Sequence, residues 1–296
     1  MLAEFWRYWT TFAPERVRRH GYLSRLIALE FRARRCRAAW APHLARCQDF
    51  IRTAARLAPR RDVAVIVGSG LLLEVPLEDL ARDFARVFLI DMFHMPAVRR
   101  RVRRFENVTL LTGDVTGVFA AIKDGRAPGP HQPAPPAKIP HLTEADLAVS
   151  CNCLTQLAGP FVAQLERTPG FSDLDADRIA YQIMAHHAEA FAKRAHGVSA
   201  IITDIERHIM AGVHTIERID LLKALKLPPT PTHTHNEEWN WRIAPRGEED
   251  PKHDIEHIVA GRIYEHAPQS SASSDPEVAA DARPLSDAPA GKFSAA

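Results

Sequence analysis

The sequence predicts an α/β protein built on a doubly wound, mostly parallel sheet. Residues 62–115 carry this prediction, because short apolar runs at 63–67, 87–90 and 108–111 alternate there with two helix-like segments. Runs that are apolar at nearly every position are typical of parallel strands with both faces buried. Because crossovers between parallel strands are right-handed, this strand–helix–strand–helix–strand order forms half of a doubly wound fold.

The segments between the runs carry helix signals. Pro76 suits the first turn of a helix that continues to Phe84, because proline is preorganised for that position. Pro96 opens a second helix in the same way and places Val98 and Val102 on one face. These two helices would connect the three strands.

Each run ends in residues suited to a ligand site. The first ends in Gly68-Ser69-Gly70, where glycine permits a sharp turn and a close approach of backbone to ligand. The second ends in Asp91, and the third in Gly113-Asp114-Val115. Ligands of doubly wound sheets bind beyond the carboxyl ends of the strands, where the strand order reverses. The sequence therefore predicts that these strand ends form one site.

The rest of the chain extends the predicted sheet to seven strands. The fourth and fifth strands are expected at residues 146–151 and 198–203, with a helix at 174–196 between them and another at 216–225 after them. Alternation at residues 239–243 and the apolar run at 257–266 predict two antiparallel strands, which form a C-terminal hairpin.

With these residues in view, the chain resembles the Rossmann-like (class I) S-adenosylmethionine-dependent methyltransferases. The resemblance rests on the glycine turn, on VFLID and TLLTGDV at the second and third strands, and on DLAVSCNCL at the fourth. It covers residues 62–266, and the C-terminal hairpin agrees with it. The basic residues 1–61 would form a helical extension ahead of this Rossmann-like domain.

The resemblance implies S-adenosylmethionine as cofactor and methyl transfer as activity. It implies that Asp91 binds the ribose hydroxyls and that Asp114 and Val115 surround the adenine. The full set of implied cofactor contacts is Gly68, Ser69, Gly70, Asp91, Met92, Gly113, Asp114, Val115 and Cys151. Family members place polar side chains just past the fourth strand, so Asn152 and Gln156 are the candidates for acceptor contact and catalysis.

Two other functions stay open. The chain has Ile66 and Leu72 where the family motif has an acid and a third glycine, which leaves room for a non-catalytic binding or scaffold protein. An NAD(P)-dependent oxidoreductase would need its third glycine at position 73, which is Leu73. It would also place pyrophosphate near three acids at the following helix, Glu74, Glu78 and Asp79, which would repel it. S-adenosylmethionine carries a sulfonium cation and no phosphate, so the methyltransferase is favoured.

The acceptor is expected to be a small molecule, with a protein as the alternative. Asn152 is followed by Cys153 and Leu154, so the Asn/Asp-Pro-Pro-aromatic motif typical of base-amine methylation is missing. Nucleic-acid contact stays possible because of the basic N-terminus. No metal is assigned, since neither the pair Cys151/Cys153 nor the pair His233/His235 has further ligands in view.

Charge is distributed unevenly along the chain. Residues 1–61 contain fourteen arginines and four acids, a net charge of +10, and the remaining residues carry −8. We interpret the N-terminal extension as a helical cap whose arginines pair with acids of the body. Nucleic-acid or anionic-membrane contact is the alternative. The aromatic residues among the first dozen would suit a membrane interface, but packing onto the body is the preferred interpretation.

Within this extension, helix is expected from residue 22 to residue 57, with a break near Ala41-Pro42. The segment 40–58 is placed to be the helix that closes over the cofactor in the family, which would let His43 face the site. Half burial of a lone histidine is the alternative.

Three expectations concern the remaining segments. A short helix should pass through Val118 and Ile122, the proline-rich residues 124–141 should form a surface loop, and residues 267–296 should be disordered. No run reaches the roughly 20 apolar residues of a membrane-spanning helix. Four cysteines in a chain of this size do not indicate a disulfide scaffold, so the cytoplasm is the expected location.

Overall fold

The computed structural model describes residues 2–118, 134–159, 161–162, 172–230 and 235–266. Most of the helix predicted through Ile122, most of the proline-rich insertion, His233 and the whole C-terminal tail lie outside the described residues.

Seven helices and eight strands are formed by the described residues. The helices are α1 Leu2–Thr10, α2 Glu15–Arg19, α3 Tyr22–Arg35, α4 Arg37–Leu57, α5 Leu77–Asp83, α6 Pro96–Val102 and α7 Asp173–Ala192. The strands are β1 Val63–Val67, β2 Arg86–Asp91, β3 Val108–Thr112, β4 Leu147–Cys151, β5 Gly197–Ala211, β6 His214–Asp220, β7 Asn236–Ala244 and β8 Asp254–His266. Short 3₁₀ turns at Leu142–Glu144 and Leu154–Gln156 flank β4.

The sheet has the order β3-β2-β1-β4-β5-β8-β7, with β6 paired to β5. Each neighbouring pair within β3-β2-β1-β4-β5 is parallel, whereas β8 is antiparallel to both β5 and β7. The chain moves outward from β1 to β3 and then returns to the other side of β1. This confirms the doubly wound Rossmann-like fold with a C-terminal antiparallel hairpin, and the strand order reverses between β1 and β4.

Both faces of β1 are buried, as its uninterrupted apolar run predicts. Ala64 and Ile66 pack in the layer that contains Trp40 and Phe50 of α4, and the alternate residues pack in the layer of Phe191 from α7. Ile66 is completely buried, so an acid at this position would lie in the apolar layer beneath α4.

The predicted helix break at Ala41-Pro42 is wrong. Helix α4 is continuous through Pro42, and the break falls at Cys36, whose backbone leaves the helical region at φ −95° and ψ 17°. Pro42 lies near the start of α4, where a missing N–H removes only a single helical hydrogen bond.

The helix predicted at residues 216–225 is also wrong. Strand β5 continues to Ala211, turns at Gly212 with φ +64°, and pairs with β6 in an antiparallel ribbon. The β-branched residues Thr215, Ile216 and Ile219 favour this strand over a helix. The sheet consequently has eight strands, one more than expected.

The N-terminal helices sit on the body through ion pairs, as their charge predicts. Arg35 contacts Glu248, Arg46 contacts Glu237, and Arg52 contacts Asp79. The expectation that the N-terminal aromatic residues pack onto the body is wrong for Phe5, Trp6, Trp9 and Phe12, which are exposed. Among the described residues, no helix has both the length and the apolar character needed to cross a membrane.

One buried carboxylate fixes the start of β4 against the start of β1. Asp146, which is 1% exposed, accepts hydrogen bonds from the backbone N–H groups of Asp62 at 2.9 Å and Val63 at 3.0 Å. Arg60 donates a third bond to it at 3.2 Å. The two central strands are therefore joined through one carboxylate side chain.

We expect Asp146→Asn to lower the free energy of unfolding by about 2 kcal/mol, because the amide leaves a buried N–H facing another donor. Urea unfolding measures the change. Asp62→Asn is the matched control, since the Asp62 side chain is 65% exposed and lies 3.8 Å from Arg60. Equal losses in both variants would contradict this role of Asp146.

Candidate functional site

A cavity of about 320 Å³ opens at the carboxyl ends of β1, β2 and β4, beside the point where the strand order reverses. Residues from all three of these strand ends line it, together with part of α3 and Trp241 of β7. The predicted site residues in its wall are Gly68, Gly70, Asp91, Met92, Asp114, Cys151, Asn152 and Gln156.

The turn after β1 requires glycine at position 68. Its φ is +77°, and an added Cβ would lie 2.6 Å from the carbonyl oxygen of Cys151 and 2.7 Å from Cβ of Cys153. The ends of β1 and β4 are thus in direct backbone contact. Further along the turn, Leu72 takes φ +59°, the left-handed conformation that glycine adopts most readily.

Asp91 connects this turn to the end of β2. Its Oδ2 accepts a hydrogen bond from the backbone N–H of Gly70 at 2.8 Å, and the amides of Met92 and Phe93 also donate to the carboxylate. Burial raises the pKa of Asp91, while these amides favour the ionised form. The glycine turn therefore fixes the position of a carboxylate in the cavity wall.

Asp114 anchors the third strand end. Its Oδ1 accepts hydrogen bonds from the backbone N–H of Thr116 at 2.8 Å and from its hydroxyl at 2.6 Å. Tyr22 of α3 lies close enough that Asp114 and Asp91, together with burial, raise the pKa of its phenol. The phenol stays protonated and is a hydrogen-bond donor.

Asn152 follows β4 in a left-handed conformation, with φ +47°, and is 7% exposed. Its Nδ2 donates to Oε1 of Glu74 at 3.2 Å, which fixes the amide orientation. Its Oδ1 has no hydrogen-bond partner among the described residues. Gln156 donates to the backbone carbonyl of Asn152 at 3.2 Å. Asn152 thus lies in the cavity wall with a buried acceptor oxygen that no described residue satisfies.

Behind Glu74 lies a partly buried chain of hydrogen bonds through His43. Trp239 Nε1 donates to His43 Nδ1 at 3.1 Å, and His43 Nε2 lies 3.4 Å from Oε1 of Glu74. Because the indole N–H is only a donor, Nδ1 must accept, so Nε2 carries the proton and donates to the carboxylate. His43 also stacks on Trp241, with ring centroids 4.0 Å apart. This chain holds Glu74 in the cavity wall.

Sequence reasoning missed Glu74 as a site residue, since it considered this acid only as a group that repels phosphate. The available signal was an acid placed between the glycine turn and Pro76.

Helix α3 closes the cavity through Tyr22, Arg25, Leu26 and Leu29. The prediction that α4 closes over the cofactor is wrong, because α4 is covered by the sheet and packs mainly against β7. His43 is 1% exposed and does not line the cavity. Both helices carry arginines and apolar residues, so the sequence pattern did not distinguish them.

Three predicted contact residues lie outside the cavity wall. Ser69 is buried, and its hydroxyl lies 3.2 Å from Nε2 of His94. Val115 packs in the apolar layer of α7, and the N–H of Gly113 donates to the carbonyl of Asp91 at 3.0 Å. These residues support the strand ends from behind.

The cysteine thiols at the end of β4 are held protonated. Burial raises the pKa of Cys151 well above its usual value and that of Cys153 to about 12. In the part of the chain that the structure describes, no group of His, Cys, Asp or Glu side chains is arranged to hold a metal ion.

The cavity has an acidic wall. Glu74, Asp91 and Asp114 line it, and Arg25 is the single lining cation among the described residues. Glu78 and Asp79 of α5 are paired with Arg101 and Arg52 outside the cavity. An acidic, largely apolar cavity favours a ligand that carries positive charge.

Neither a protein-family model nor a curated protein sequence matches the chain. Among solved structures, the chain is similar to 1,6-didemethyltoxoflavin-N1-methyltransferase from Burkholderia thailandensis, at 13% identity and TM-score 0.33 over 82% of this chain and 89% of that one. It is similar to the N-methyltransferase NodS from Bradyrhizobium japonicum, at 11% identity and TM-score 0.32 over 72% and 85%. A third match is a putative RNA methyltransferase from Pyrococcus horikoshii, at 10% identity and TM-score 0.35 over 76% and 83%. Likeness at these values carries no argument about what this chain binds.

We expect Gly68→Ala to destabilise the protein by at least about 2 kcal/mol, because a strained φ and a steric clash with Cys151 add up. Thermal unfolding measures this effect. Gly113→Ala is the control, since no heavy atom lies within 4 Å of its added Cβ. A Gly68→Ala protein as stable as this control would refute the close contact between the two strand ends.

Proposed function

We propose that the chain binds S-adenosylmethionine in this cavity and transfers its methyl group to an acceptor. The observation that carries the proposal is the acidic cavity at the strand-order reversal, in which the glycine turn holds Asp91 by a backbone hydrogen bond. Function depends on the site more than on the fold, and this site combines a close backbone approach, a ribose-binding acid and a charge suited to a cation.

Each group of residues has a role in this proposal. The turn at residues 68–70 approaches the cofactor through its backbone, Asp91 accepts hydrogen bonds from the ribose hydroxyls, and Asp114 lies at the adenine. Arg25 suits the carboxylate of the cofactor's amino-acid end, because it is the only cation that lines the cavity in the part of the chain that the structure describes. Ser69, Gly113 and Val115, which lie outside the cavity wall, act by supporting these positions.

The charge of the cavity wall weighs against the dinucleotide alternative. A pyrophosphate beyond β1 would meet Glu74, Asp91 and Asp114, and among the described lining residues Arg25 alone could neutralise it. Nucleotide phosphates are favoured where free helix amides and positive charge converge. An NAD(P)-dependent oxidoreductase is therefore the weaker proposal, and a non-catalytic scaffold is tested by cofactor binding.

The cofactor, when bound, supplies a methyl group that is already activated for transfer, so the chain's main task is alignment. Asn152, in the cavity wall, is the residue that we propose positions the incoming nucleophile. Glu74 prevents the amide from turning over, because the opposite orientation would face two oxygens toward each other. Gln156 holds the backbone of Asn152 in place.

We further propose a small-molecule acceptor, with a protein as the alternative and nucleic acid as the least favoured. A partly enclosed, mostly apolar cavity suits a small ligand. Four free cysteines, three of them buried, support a reducing compartment such as the cytoplasm.

The first test is calorimetric titration of the purified protein with S-adenosylhomocysteine. We expect binding, and we expect Asp91→Asn to weaken it by about 1.5–3 kcal/mol through loss of charge-assisted hydrogen bonds. Asp79→Asn is the control, since Asp79 pairs with Arg52 outside the cavity. An absence of both heat and thermal shift at millimolar ligand would refute cofactor binding and favour the scaffold. Binding of a nicotinamide cofactor in its place would favour the oxidoreductase.

The second test follows labelled methyl groups from S-adenosylmethionine into the small-molecule, protein and RNA fractions of a cell extract. We expect label in small molecules and about tenfold slower transfer by Asn152→Ala, with cofactor affinity unchanged. Asn240→Ala is the control, because Asn240 contacts Glu256 on an exposed strand. Label mainly in RNA would refute the small-molecule acceptor. Equal losses of transfer and affinity would show that Asn152 holds the cofactor.

A further inference from the structure

Helix α1 presents large apolar side chains to solvent. Leu2 is 88% exposed, Phe5 65%, Trp6 70% and Trp9 66%, and Phe12, two residues past the helix, is 91% exposed. The helical residues follow the spacing of one helix face. Contiguous exposed apolar surface is rare on soluble proteins and marks a surface that contacts a partner or a membrane.

This face is held in place by the opposite side of α1. Tyr8 packs against the core, and Thr11 is 3% exposed. The guanidinium of Arg18 lies over the Tyr8 ring at 4.9 Å, and Arg18 also donates to the carbonyl of Thr11. The helix is therefore fixed to the body with its large apolar side chains facing outward.

The surroundings of this face are basic. Arg34 and Arg100 share a surface groove with Leu2, Phe5 and Trp6. The acids close by are already paired, because Glu30 contacts Arg7 and Arg34 and Glu4 contacts Arg35.

Two more arginines follow Phe12 in the chain, Arg16 and Arg19 of α2. Like Arg100, they are exposed and have no ion pair with any described residue. The exposed apolar side chains of α1 therefore lie in a positively charged region.

We propose that the exposed apolar side chains of α1 and Phe12 dock on an anionic lipid surface. We call this surface the aromatic face. The tryptophan and phenylalanine rings would enter the boundary between headgroups and acyl chains, and the arginines would contact lipid phosphates. This combination of aromatic residues with flanking arginine is the chemistry of interfacial helices. Leu2 and Phe12 offer no polar group to a nucleic acid, so a lipid surface fits the whole face better than RNA does.

Docking of this kind would fix the orientation of the cavity relative to the lipid surface. Helix α1 packs on α3, whose residues Tyr22, Arg25 and Leu26 line the cavity. The lipid-contacting surface and the cavity therefore share one helix. Docking on lipid does not require methyl transfer, since the residues of the aromatic face lie outside the cavity.

The test is flotation of the full chain with vesicles, either of phosphatidylcholine alone or with phosphatidylglycerol added at about one part in four. We expect binding to the anionic vesicles, weakening at high salt, and a blue shift of tryptophan fluorescence. Trp6 and Trp9 report this shift because they are exposed. By contrast, Trp40 and Trp241 are buried and Trp239 is half-buried against the core. No binding to the anionic vesicles would overturn the proposal.

Two double variants separate the apolar and ionic contributions. Trp6→Ser/Trp9→Ser and Arg16→Glu/Arg19→Glu should each weaken vesicle binding at least about tenfold. Val213→Ser is the control, because Val213 is 87% exposed on the β5–β6 turn and is not part of α1 or α2. All variants should keep the S-adenosylhomocysteine affinity of the unmodified chain, or its melting temperature if that ligand does not bind.

Other occupants of the face give different results, each of which would overturn the lipid proposal. Self-association that Trp6→Ser/Trp9→Ser abolishes, without vesicle binding, would show that a second copy covers the face. Binding to RNA with loss only in Arg16→Glu/Arg19→Glu would assign the basic region to nucleic acid. Vesicle binding unchanged in both double variants would place the lipid contact elsewhere.

Discussion

The contact between the ends of β1 and β4 is the constraint on which the rest of the site depends. At Gly68 the two strand ends leave no room even for a methyl group. This close approach brings the loop after β1 alongside the loop after β4, so that Glu74 and Asn152 can form a hydrogen bond. Four residues of the two loops take positive φ, namely Gly68, Gly70, Leu72 and Asn152. Backbone strain of this kind is held by surrounding structure and is concentrated at functional sites.

Glu74 transmits this constraint to the antiparallel part of the sheet. Through His43 it is linked to Trp239, so a residue of β7 helps to fix a carboxylate beyond β1. The C-terminal hairpin therefore has a role in the site as well as in completing the sheet. Trp241 makes the same connection directly, since it stacks on His43 and also lines the cavity.

The sequence predicted the central strands because burial on both faces leaves a continuous apolar run, as in β1. It also predicted Asp91 and Asn152 as site residues, because each directly follows such a run. It could not predict β6, whose residues are mostly exposed and whose strand conformation depends on pairing with the extended β5. Nor could it assign the closing helix, since α3 and α4 have similar composition and differ only in their tertiary neighbours. Glu74 was missed for the same reason, because its partners come from α4 and from the loop after β4.

Among the described residues, arginines pair with some acids and leave others without a charged partner. Arginines neutralise Glu78 and Asp79 beside α5, so these two acids contribute little to the field in the cavity. Glu74 and Asp91 accept hydrogen bonds from an amide, an imidazole and backbone N–H groups, and no arginine is paired with them among the described residues. Arg52 and Arg101 thus pair with acids outside the cavity and leave the cavity wall acidic. A near-neutral total charge is therefore compatible with an acidic cavity and with a basic surface on the N-terminal helices.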